Sequence, residues 1–341
     1  MSGKRALLIA GGGTLGGYTY PELLDRGWQV DILDAMPRVS LNRNLHWIQG
    51  RAEDALLREL FRRGRYDVIV DFIHYTDPGQ YRTRGKLLLE NTDQLIFLSS
   101  YRIYADSPLV TEDSPQLLDV STDEYFLTHE TYAVPKSWNE RFLRSSGFEN
   151  WTIIRPMISF SHYRLDLVTS GAQTFLLRAL QNKKTLLPVE ARYLTAGVGW
   201  AGNVGRMIAA LCGNEKALGE AFTLGAAEEQ TWQDVADLYT ELTGAEFVWV
   251  GKEDYLTCAT PNNYMERCML LCDRLYDRKV DISKVLRVTG IARDSLVSTR
   301  VGVIRELEVL AERPDLMARF DAEPYRTVNQ RMDEYLARHA L

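Results

Sequence analysis

Residues 6–16, with the sequence ALLIAGGGTLG, decide the fold of this chain. The apolar run at their start predicts a buried strand, and a helical pattern follows the glycines as far as Arg26. Within the turn, Gly11, Gly13 and Gly16 have the spacing GxGxxG. Glycines are needed there because the turn is tight, because the backbone must approach a pyrophosphate, and because helix and strand pack closely.

We therefore expect this turn to bind a dinucleotide. The backbone amides near Thr14 and Leu15 would face the anion, because the N-terminus of a helix carries unpaired N–H groups and a partial positive charge. The alternative is a tight turn in an α/β protein that binds nothing.

Asp34 ends the next predicted strand, 18 residues after Gly16. A carboxylate at this position accepts hydrogen bonds from the ribose hydroxyls of adenosine and repels a 2′-phosphate, which favours NAD as the cofactor over NADP. Arg38, four residues further on, could instead hold a 2′-phosphate. A solvated loop acid is the alternative interpretation of Asp34.

Short aliphatic runs alternate with helical patterns through the first 155 residues. Strands are predicted at 6–10, 30–34, 47–49, 67–72, 94–99 and 151–155, and helices from the glycine turn to residue 26, at 53–63 and at 132–145. Continuous aliphatic strands are typical of sheets that are covered on both faces, and their alternation with helices predicts βαβ units. The expected fold class is α/β, with a Rossmann-type, doubly wound parallel sheet.

After Pro156 helices dominate the pattern. They are predicted at 172–181, 201–212, 232–243, 295–311 and 325–339, with short strands at 221–224 and 247–250. We expect residues 1–160 to form the NAD-binding domain. Residues 161–341 are expected to form mostly a smaller mixed α/β C-terminal substrate domain, some of whose segments can return to the first sheet.

Composition and charge exclude several classes of protein. Of the 341 residues 45% are hydrophobic and 25% are charged, which excludes a disordered or fibrous chain. The net charge of −6 disfavours binding of nucleic acid through bulk charge. No apolar run approaches the ~18 residues of a membrane span, and no signal peptide is evident, so we expect a cytoplasmic protein with no membrane partner. The four cysteines form no CxxC pair and the five histidines show no ligand spacing, so we expect no metal.

Tyr132 and Lys136 form the pattern YxxxK, which places both side chains on one face of a helix. A nearby ammonium group stabilises a phenolate and lowers the pKa of a tyrosine, which can then pass a proton to or from a carbinol or carbonyl oxygen. Ser100 follows the fifth predicted strand, and ligands of doubly wound sheets sit at the carboxyl ends of strands. These three residues are the candidate catalytic set. The alternatives are a surface Tyr and Lys, and a serine that only caps a turn.

In combination these motifs resemble the extended short-chain dehydrogenase/reductases, the NAD-dependent epimerase/dehydratase family that modifies sugar nucleotides. The resemblance covers nearly the whole chain. Further matching motifs are Ser99-Ser100-x-x-Ile103-Tyr104, Glu140 on the helix of Tyr132, Arg155-Pro156, Phe222-Thr223-Leu224-Gly225 and Asp281-Ile282-Ser283-Lys284.

The resemblance implies a role for each member of the set. Ser100 and Tyr132 would contact the reacting sugar oxygen, and Lys136 would hold the nicotinamide ribose. Hydride would pass between a sugar carbon and the nicotinamide while Tyr132 moves the matching proton. The resemblance also implies a homodimer, because paired helices of this family often form a four-helix interface.

The chain departs from the family pattern at several positions. Ala10 takes the place of the usual first glycine of the turn. Tyr101 and Arg102 take the place of the acid pair of the dehydratases, which argues against dehydration. His74 replaces a small residue and could line the active site, and the usual asparagine is missing after Pro156.

Three hypotheses follow. The first is an NAD-dependent epimerase or ketoreductase that acts on a nucleotide-linked sugar, with Tyr132 as acid or base. The second is an oxidoreductase of a non-nucleotide carbonyl or alcohol, which the missing asparagine motivates. The third is a non-catalytic, RNA-binding relative, against which the net charge and the complete catalytic set argue.

Overall fold

The computed structural model describes residues 3–260, 263–323 and 325–340 of the chain. The strands are β1 (Arg5–Ile9), β2 (Gln29–Asp34), β3 (Leu45–Gln49), β4 (Tyr66–Asp71), β5 (Thr92–Leu98), β6 (Trp151–Pro156), β7 (Ile158–Phe160), β8 (Asp166–Leu167), β9 (Ser170–Gly171), β10 (Thr185–Pro188), β11 (Val198–Trp200), β12 (Glu220–Leu224) and β13 (Phe247–Val250). The helices are α1 (Thr14–Asp25), α2 (Asp54–Arg62), α3 (Pro78–Leu89), α4 (Leu117–Val120), α5 (Glu124–His129), α6 (Ala133–Ser145), α7 (Ala172–Leu180), α8 (Ala201–Leu211), α9 (Trp232–Thr243), α10 (Lys252–Ala259), α11 (Tyr264–Met269), α12 (Ser283–Thr289), α13 (Thr299–Ala311), α14 (Pro314–Met317) and α15 (Tyr325–His339). Short 3₁₀ turns lie at Tyr101–Ile103, Val189–Ala191, Glu215–Ala217, Arg293–Ser295 and Ala318–Asp321, and Leu270–Arg274 is a π-helical turn.

Seven of these strands form one parallel sheet in the order β12-β6-β5-β4-β1-β2-β3. The chain starts at the centre, runs to one edge through β2 and β3, and then crosses to the other side through β4, β5 and β6. In register, Leu7 of β1 lies opposite Asp31 of β2 and Ile69 of β4. This reversal of direction at β1 is the doubly wound order, so the predicted α/β Rossmann-type sheet is confirmed.

Helices cover both faces of the sheet. Alternate residues of β1 therefore belong to two different hydrophobic cores. Ala6 and Leu8 belong to a core that α1, α8 and α12 complete. Leu7 and Ile9 belong to the opposite core, which α2, α3 and α6 complete. Burial on both faces explains why the strands read as continuous apolar runs rather than as alternating ones.

The second half of the chain contributes to the sheet and also forms a core of its own. β12 pairs in parallel with β6, with Phe222 opposite Ile154, and α8 packs against α1. The third core contains side chains of α7, α9, α10 and α15, among them the buried Met332 of the C-terminal helix. The division of the chain near residue 160 stays a prediction.

Most of the predicted elements lie within two residues of the observed ones. The sequence pattern predicts no helix between β4 and β5, yet α3 lies there. The pattern misses this helix because its apolar residues are clustered at its C-terminal end and do not form an amphipathic stripe. The predicted helix 295–311 begins only at Thr299, since Ser298 caps it by accepting a hydrogen bond from the backbone N–H of Val301. Among the described residues, no helix combines the length and the apolar character that a membrane span requires.

Candidate active site

The glycine turn between β1 and α1 is sterically tight. A Cβ atom on Gly16 would lie 2.2 Å from the carbonyl oxygen of Gly11, so only glycine fits at the start of the helix. Ala10 has a φ of 55°, in the left-handed region that favours glycine, and this is the position where the family pattern has one. By contrast, nothing lies within 4 Å of the place where a Cβ of Gly13 would be. The turn is therefore packed on its inner side and open at Gly13.

The N-terminus of α1 is uncapped. Gly13 precedes the helix without a side-chain cap, and the first turn contains no acidic residue. The amides at Thr14 and Leu15 therefore lack the usual side-chain partner, and both residues line a cavity. An uncapped helix end of this kind attracts an anion such as a phosphate.

Asp34 and Arg38 both lie against the glycine turn. The carboxylate of Asp34 accepts hydrogen bonds from the backbone N–H of Gly12 at 2.9 Å and of Met36 at 3.0 Å. The guanidinium of Arg38 donates to the carbonyl oxygen of Gly12 at 2.9 Å and lies 4.9 Å from the ring centre of Trp47. The acid is thus held beside the turn, while the arginine is engaged with the backbone and an indole.

Ser100, Tyr132 and Lys136 come together at the carboxyl ends of β5 and β6. Lys136 Nζ lies 5.3 Å from the ring centre of Tyr132 and donates a hydrogen bond of 2.6 Å to the carbonyl oxygen of Leu98. Ser100 Oγ accepts from the backbone N–H of Arg102 at 3.2 Å, so it does cap the 3₁₀ turn, and it also interacts with the Tyr132 phenol.

The beginning of α6 places Tyr132 and Lys136 one turn apart. Tyr132 is the residue before the helix, and Pro135 lies in its first turn, where no backbone donor is required. Glu130 supplies the cap, because its carboxylate accepts hydrogen bonds from the backbone N–H of Tyr132 and of Val134, each at 2.9 Å. This confirms the predicted start of the helix near Tyr132.

The charges around Tyr132 favour its phenolate. Burial by itself raises the pKa of Tyr132, but the positive charges of Lys136 and Arg102 and the interaction with Ser100 outweigh it, and the pKa lies below its ordinary value. Burial also lowers the pKa of Lys136, against the opposing charges of Tyr132 and Asp71. Both pKa shifts therefore favour the deprotonated form of the group.

One cavity of about 360 Å³ connects the glycine turn with this set. Its lining includes Thr14 and Leu15 as well as Ser100 and Tyr132. Of the predicted cofactor residues of the turn, Thr14 and Leu15 thus line the same cavity as the predicted catalytic serine and tyrosine, whereas the three glycines do not. Neither Lys136 nor Asp34 lines this cavity: Lys136 lies beside the ring of Tyr132, and Asp34 binds the backbone N–H of Gly12.

Three arginines line the same cavity, and only one of them stood out in the sequence. Arg102, which replaces a dehydratase acid, lies with its guanidinium carbon 4.5 Å from the ring centre of Tyr132. Arg164 and Arg274 come from the second half of the chain. Nothing in their spacing points to this place, because it depends on how the second half folds back onto the sheet.

His74 and Asp71 lie close to the set without lining the cavity. The ring centre of His74 is 5.0 Å from that of Tyr132, and His74 Nε2 lies 2.8 Å from the carbonyl oxygen of Thr131. Burial, together with the charge of Lys136, lowers the pKa of His74, so its ring is neutral near pH 7. Burial raises the pKa of Asp71 to about 6, and this residue gave no signal in the sequence.

A buried ion pair lies under the site. Arg155 donates to Glu140 through Nε at 2.9 Å and through Nη2 at 2.5 Å, and its Nη1 donates to the hydroxyl of Tyr104 at 2.7 Å. The Tyr104 hydroxyl is in turn 2.8 Å from that of Thr223 on β12. The network joins β6, β12, α6 and the loop after β5. These residues, which carry part of the sequence resemblance, therefore contribute to packing and orientation.

The cysteines form no site. Cys212, Cys258 and Cys268 are buried, and burial raises the pKa of each of these thiols. Within the described ranges, no group of three or more His, Cys, Asp or Glu is arranged to hold a metal ion.

Comparison with known proteins rests on structure alone. No family model and no curated protein matches the sequence. An epimerase of Methanothermobacter thermautotrophicus, Mth375, superposes with a TM-score of 0.69 at 18% identity, over 93% of this chain and 95% of that one. A dTDP-glucose 4,6-dehydratase of Bacillus anthracis in complex with NAD gives a TM-score of 0.67 at 14% identity, over 92% of this chain and 98% of that one. The protein MoeE5 in complex with UDP-glucose and NAD gives 0.61 at 15% identity, over 91% and 99%.

The chain shares their fold. The predicted resemblance is therefore confirmed at the level of the fold, and it extends over more than nine-tenths of the chain in each of the three comparisons.

Proposed function

We propose that the protein is an NAD-dependent epimerase or ketoreductase of the extended short-chain dehydrogenase type that acts on a nucleotide-linked sugar. The observation that carries the proposal is the single cavity that reaches from the uncapped end of α1 to Ser100 and Tyr132, with Lys136 beside the phenol. Two of the three proteins compared above are in complex with NAD.

The residues present fit this cofactor. Gly13, Thr14 and Leu15 offer an open backbone and unpaired amides to a pyrophosphate, next to the tight contact of Gly11 with Gly16. Asp34 lies beside the turn at the end of β2, and its carboxylate would bond the adenosine ribose and oppose a 2′-phosphate, so we propose NAD rather than NADP. When bound, the nicotinamide supplies or accepts the hydride.

The chain itself would bind the substrate and move the proton. Ser100 would donate a hydrogen bond to the reacting oxygen. Tyr132 would take the proton of a sugar hydroxyl during oxidation and return it during reduction, and its lowered pKa suits this exchange. Lys136 would favour the phenolate by its charge and bind the cofactor ribose.

A second cavity supports a nucleotide-linked substrate. It measures about 440 Å³ and shares Arg164 with the first, so the two lie side by side. Gly171 and Gln173 line it at the start of α7, a helix with no side-chain cap and no acid in its first turn. This arrangement would leave the sugar beside Tyr132 and the diphosphate at a second helix end.

Substitution of Tyr132 by Phe tests the proposal. We expect turnover to fall by about 10²- to 10⁴-fold while NAD binding stays unchanged, because only the proton-transferring hydroxyl is removed. The assay uses UDP-, GDP- and dTDP-sugars that first give a thermal shift on the NAD-loaded protein. It follows NADH absorbance for a ketoreductase and chromatographic separation of the two sugar epimers for an epimerase, which produces no net NADH. Tyr193→Phe is the matched control, since Tyr193 is 73% exposed and outside both cavities. Full activity of the Tyr132→Phe protein would contradict the mechanism, and failure to bind NAD would contradict the proposal as a whole.

The fate of the cofactor separates the two reactions. An epimerase would retain NAD through purification and return the hydride to the same sugar, whereas a ketoreductase would exchange its cofactor with added NADH. A thermal-shift panel in which no nucleotide sugar responds would favour the non-nucleotide substrate.

We also propose that the protein is a homodimer. Helices α3 and α6 pack against each other on the same face of the sheet, and Trp138 of α6 is 45% exposed. An exposed indole on paired helices suits burial against a second copy. Sedimentation velocity of the wild-type and Trp138→Glu proteins measures the assembly, and a monomeric wild type would contradict it.

A further inference from the structure

The cavity beside Tyr132 is unusually cationic. Arg102, Arg164 and Arg274 line it, and no aspartate or glutamate does so among the residues that the structure describes. Arginines in such numbers are normally matched by carboxylates, because a buried charge without a partner is costly.

The carboxylates behind the cavity are shared between these three arginines and a fourth, Arg278. Asp273 is shared by three guanidinium groups, since it pairs with Arg274, lies 3.1 Å from Arg278 and lies 3.7 Å from Arg102. Arg102 also reaches Glu130, but only at 3.8 Å.

Arg164, the third arginine of the cavity lining, also shares its partner carboxylate with another arginine. Asp166 lies 2.7 Å from Arg164 and 3.5 Å from Arg274. With Arg278, which does not line the cavity, four arginines thus face three carboxylates, namely Asp166, Asp273 and Glu130. This group of seven side chains therefore contains one more cation than anions.

Two of the guanidinium groups also have unused donors. Nε of Arg102 and Nη2 of Arg274 are buried and make no hydrogen bond within the described part of the chain. The side chain of Arg274 is fully buried and that of Arg102 is 14% exposed. Both groups approach Oδ2 of Asp273, so they lie side by side at the cavity wall. Buried donors of this kind normally have a partner.

We propose that the substrate carries an anionic oxygen group, a carboxylate or a phosphate, on its reacting unit, and that Arg102 and Arg274 bind it. This inference rests on the proposed function. A guanidinium group binds either anion through two parallel hydrogen bonds. Arg102 lies over the ring of Tyr132 itself, so the group it binds belongs next to the reacting carbon and not to the remote nucleotide.

Matched pairs of ligands test the proposal by calorimetry on the NAD-loaded wild-type protein. UDP-glucuronate and UDP-glucose differ by a carboxylate in place of a hydroxymethyl group, and glucose 6-phosphate and glucose differ by a phosphate. We expect the acidic member of one pair to bind about tenfold more tightly or better than its neutral partner, because it gains charge-assisted hydrogen bonds. The pair that shows the preference identifies the anion. Absence of a preference in both pairs would overturn the proposal.

Variants of Arg102 then assign the preference to this residue. Arg102→Gln should abolish the preference, and Arg102→Lys, which keeps the charge and tests the same point if the first variant does not fold, should weaken it. Arg58→Gln, an exposed position on α2, is the control and should retain it. A preference that survives in Arg102→Gln would overturn the proposal, as would an equal loss for UDP-glucuronate and UDP-glucose, which would assign the arginine to the diphosphate. Failure of the proposed function is separate, because it would appear as an absence of NAD binding in the wild type.

Discussion

The ion pair between Glu140 and Arg155 should contribute strongly to stability, and Glu140→Gln measures that contribution. The two side chains are 1% and 2% exposed, and two hydrogen bonds of 2.9 and 2.5 Å join them. Gln has nearly the shape of Glu but no charge, so the variant leaves the Arg155 guanidinium buried without its counter-charge. Removal of one partner from a buried pair costs about 3–5 kcal/mol.

The assay is urea denaturation followed by circular dichroism. We expect the free energy of unfolding of Glu140→Gln to fall by about 3–5 kcal/mol, and we expect the double variant Glu140→Leu, Arg155→Met to recover much of the loss, because it leaves no charge unpaired. Glu241→Gln is the control. It breaks the ion pair of Glu241 with Arg300 on the surface, where water screens the charges, and the midpoint should not change.

Two results would refute this reasoning. One is a loss below about 1 kcal/mol for Glu140→Gln, which is the range of exposed pairs. The other is a double variant that is no more stable than the single one, because the loss would then come from packing and not from an unpaired charge.

Three further outcomes are expected. Lys136→Met should raise the pKa of Tyr132, because it removes a positive charge beside the phenol. Oxidation of an alcohol requires the phenolate, so the pH at which the oxidation rate rises should increase. An unshifted pH profile would contradict this effect of the charge. Asp34→Ser should lower the preference for NAD over NADP by about tenfold or more in binding titrations, since the charge that opposes a 2′-phosphate is removed, and an unchanged ratio would count against Asp34 as the selecting residue. Ala10→Gly should raise the free energy of unfolding by roughly 0.5–1 kcal/mol, because relief of the left-handed conformation exceeds the added chain entropy of glycine; a destabilised variant would show that the alanine methyl group packs favourably.

The sheet could be predicted from the sequence because its signals are local. Continuous aliphatic strands and the glycine turn identify β1 to β6 within a few residues, and Pro135 fixes the start of α6. α3 is not predicted because its apolar residues do not form an amphipathic stripe. Asp77 as its N-cap and Pro78 at its first position are nevertheless local signals from which this helix could have been predicted.

The candidate site likewise contains some residues that could be predicted from the sequence and others that could not. Ser100, Tyr132 and Lys136 could be placed together because each lies at a fixed offset from a strand end or along one helix face. Arg164 and Arg274 could not, since their position depends on contacts between residues more than one hundred apart, such as the hydrogen bond from Arg274 Nε to the carbonyl oxygen of Val168 that follows the fold of the second half. Pairing between distant segments leaves no periodic trace in the chain.

The position of β12 has a consequence for biosynthesis. Until residue 224 has left the ribosome, the backbone groups along the outer side of β6 have no partner strand, and until residue 211 has done so α1 lacks the helix that covers it. A nascent or truncated chain that stops near residue 160 would therefore expose a strand edge and an apolar helix surface, both of which promote self-association. A chaperone that holds the nascent chain would be most useful during the synthesis of the roughly seventy residues after β6.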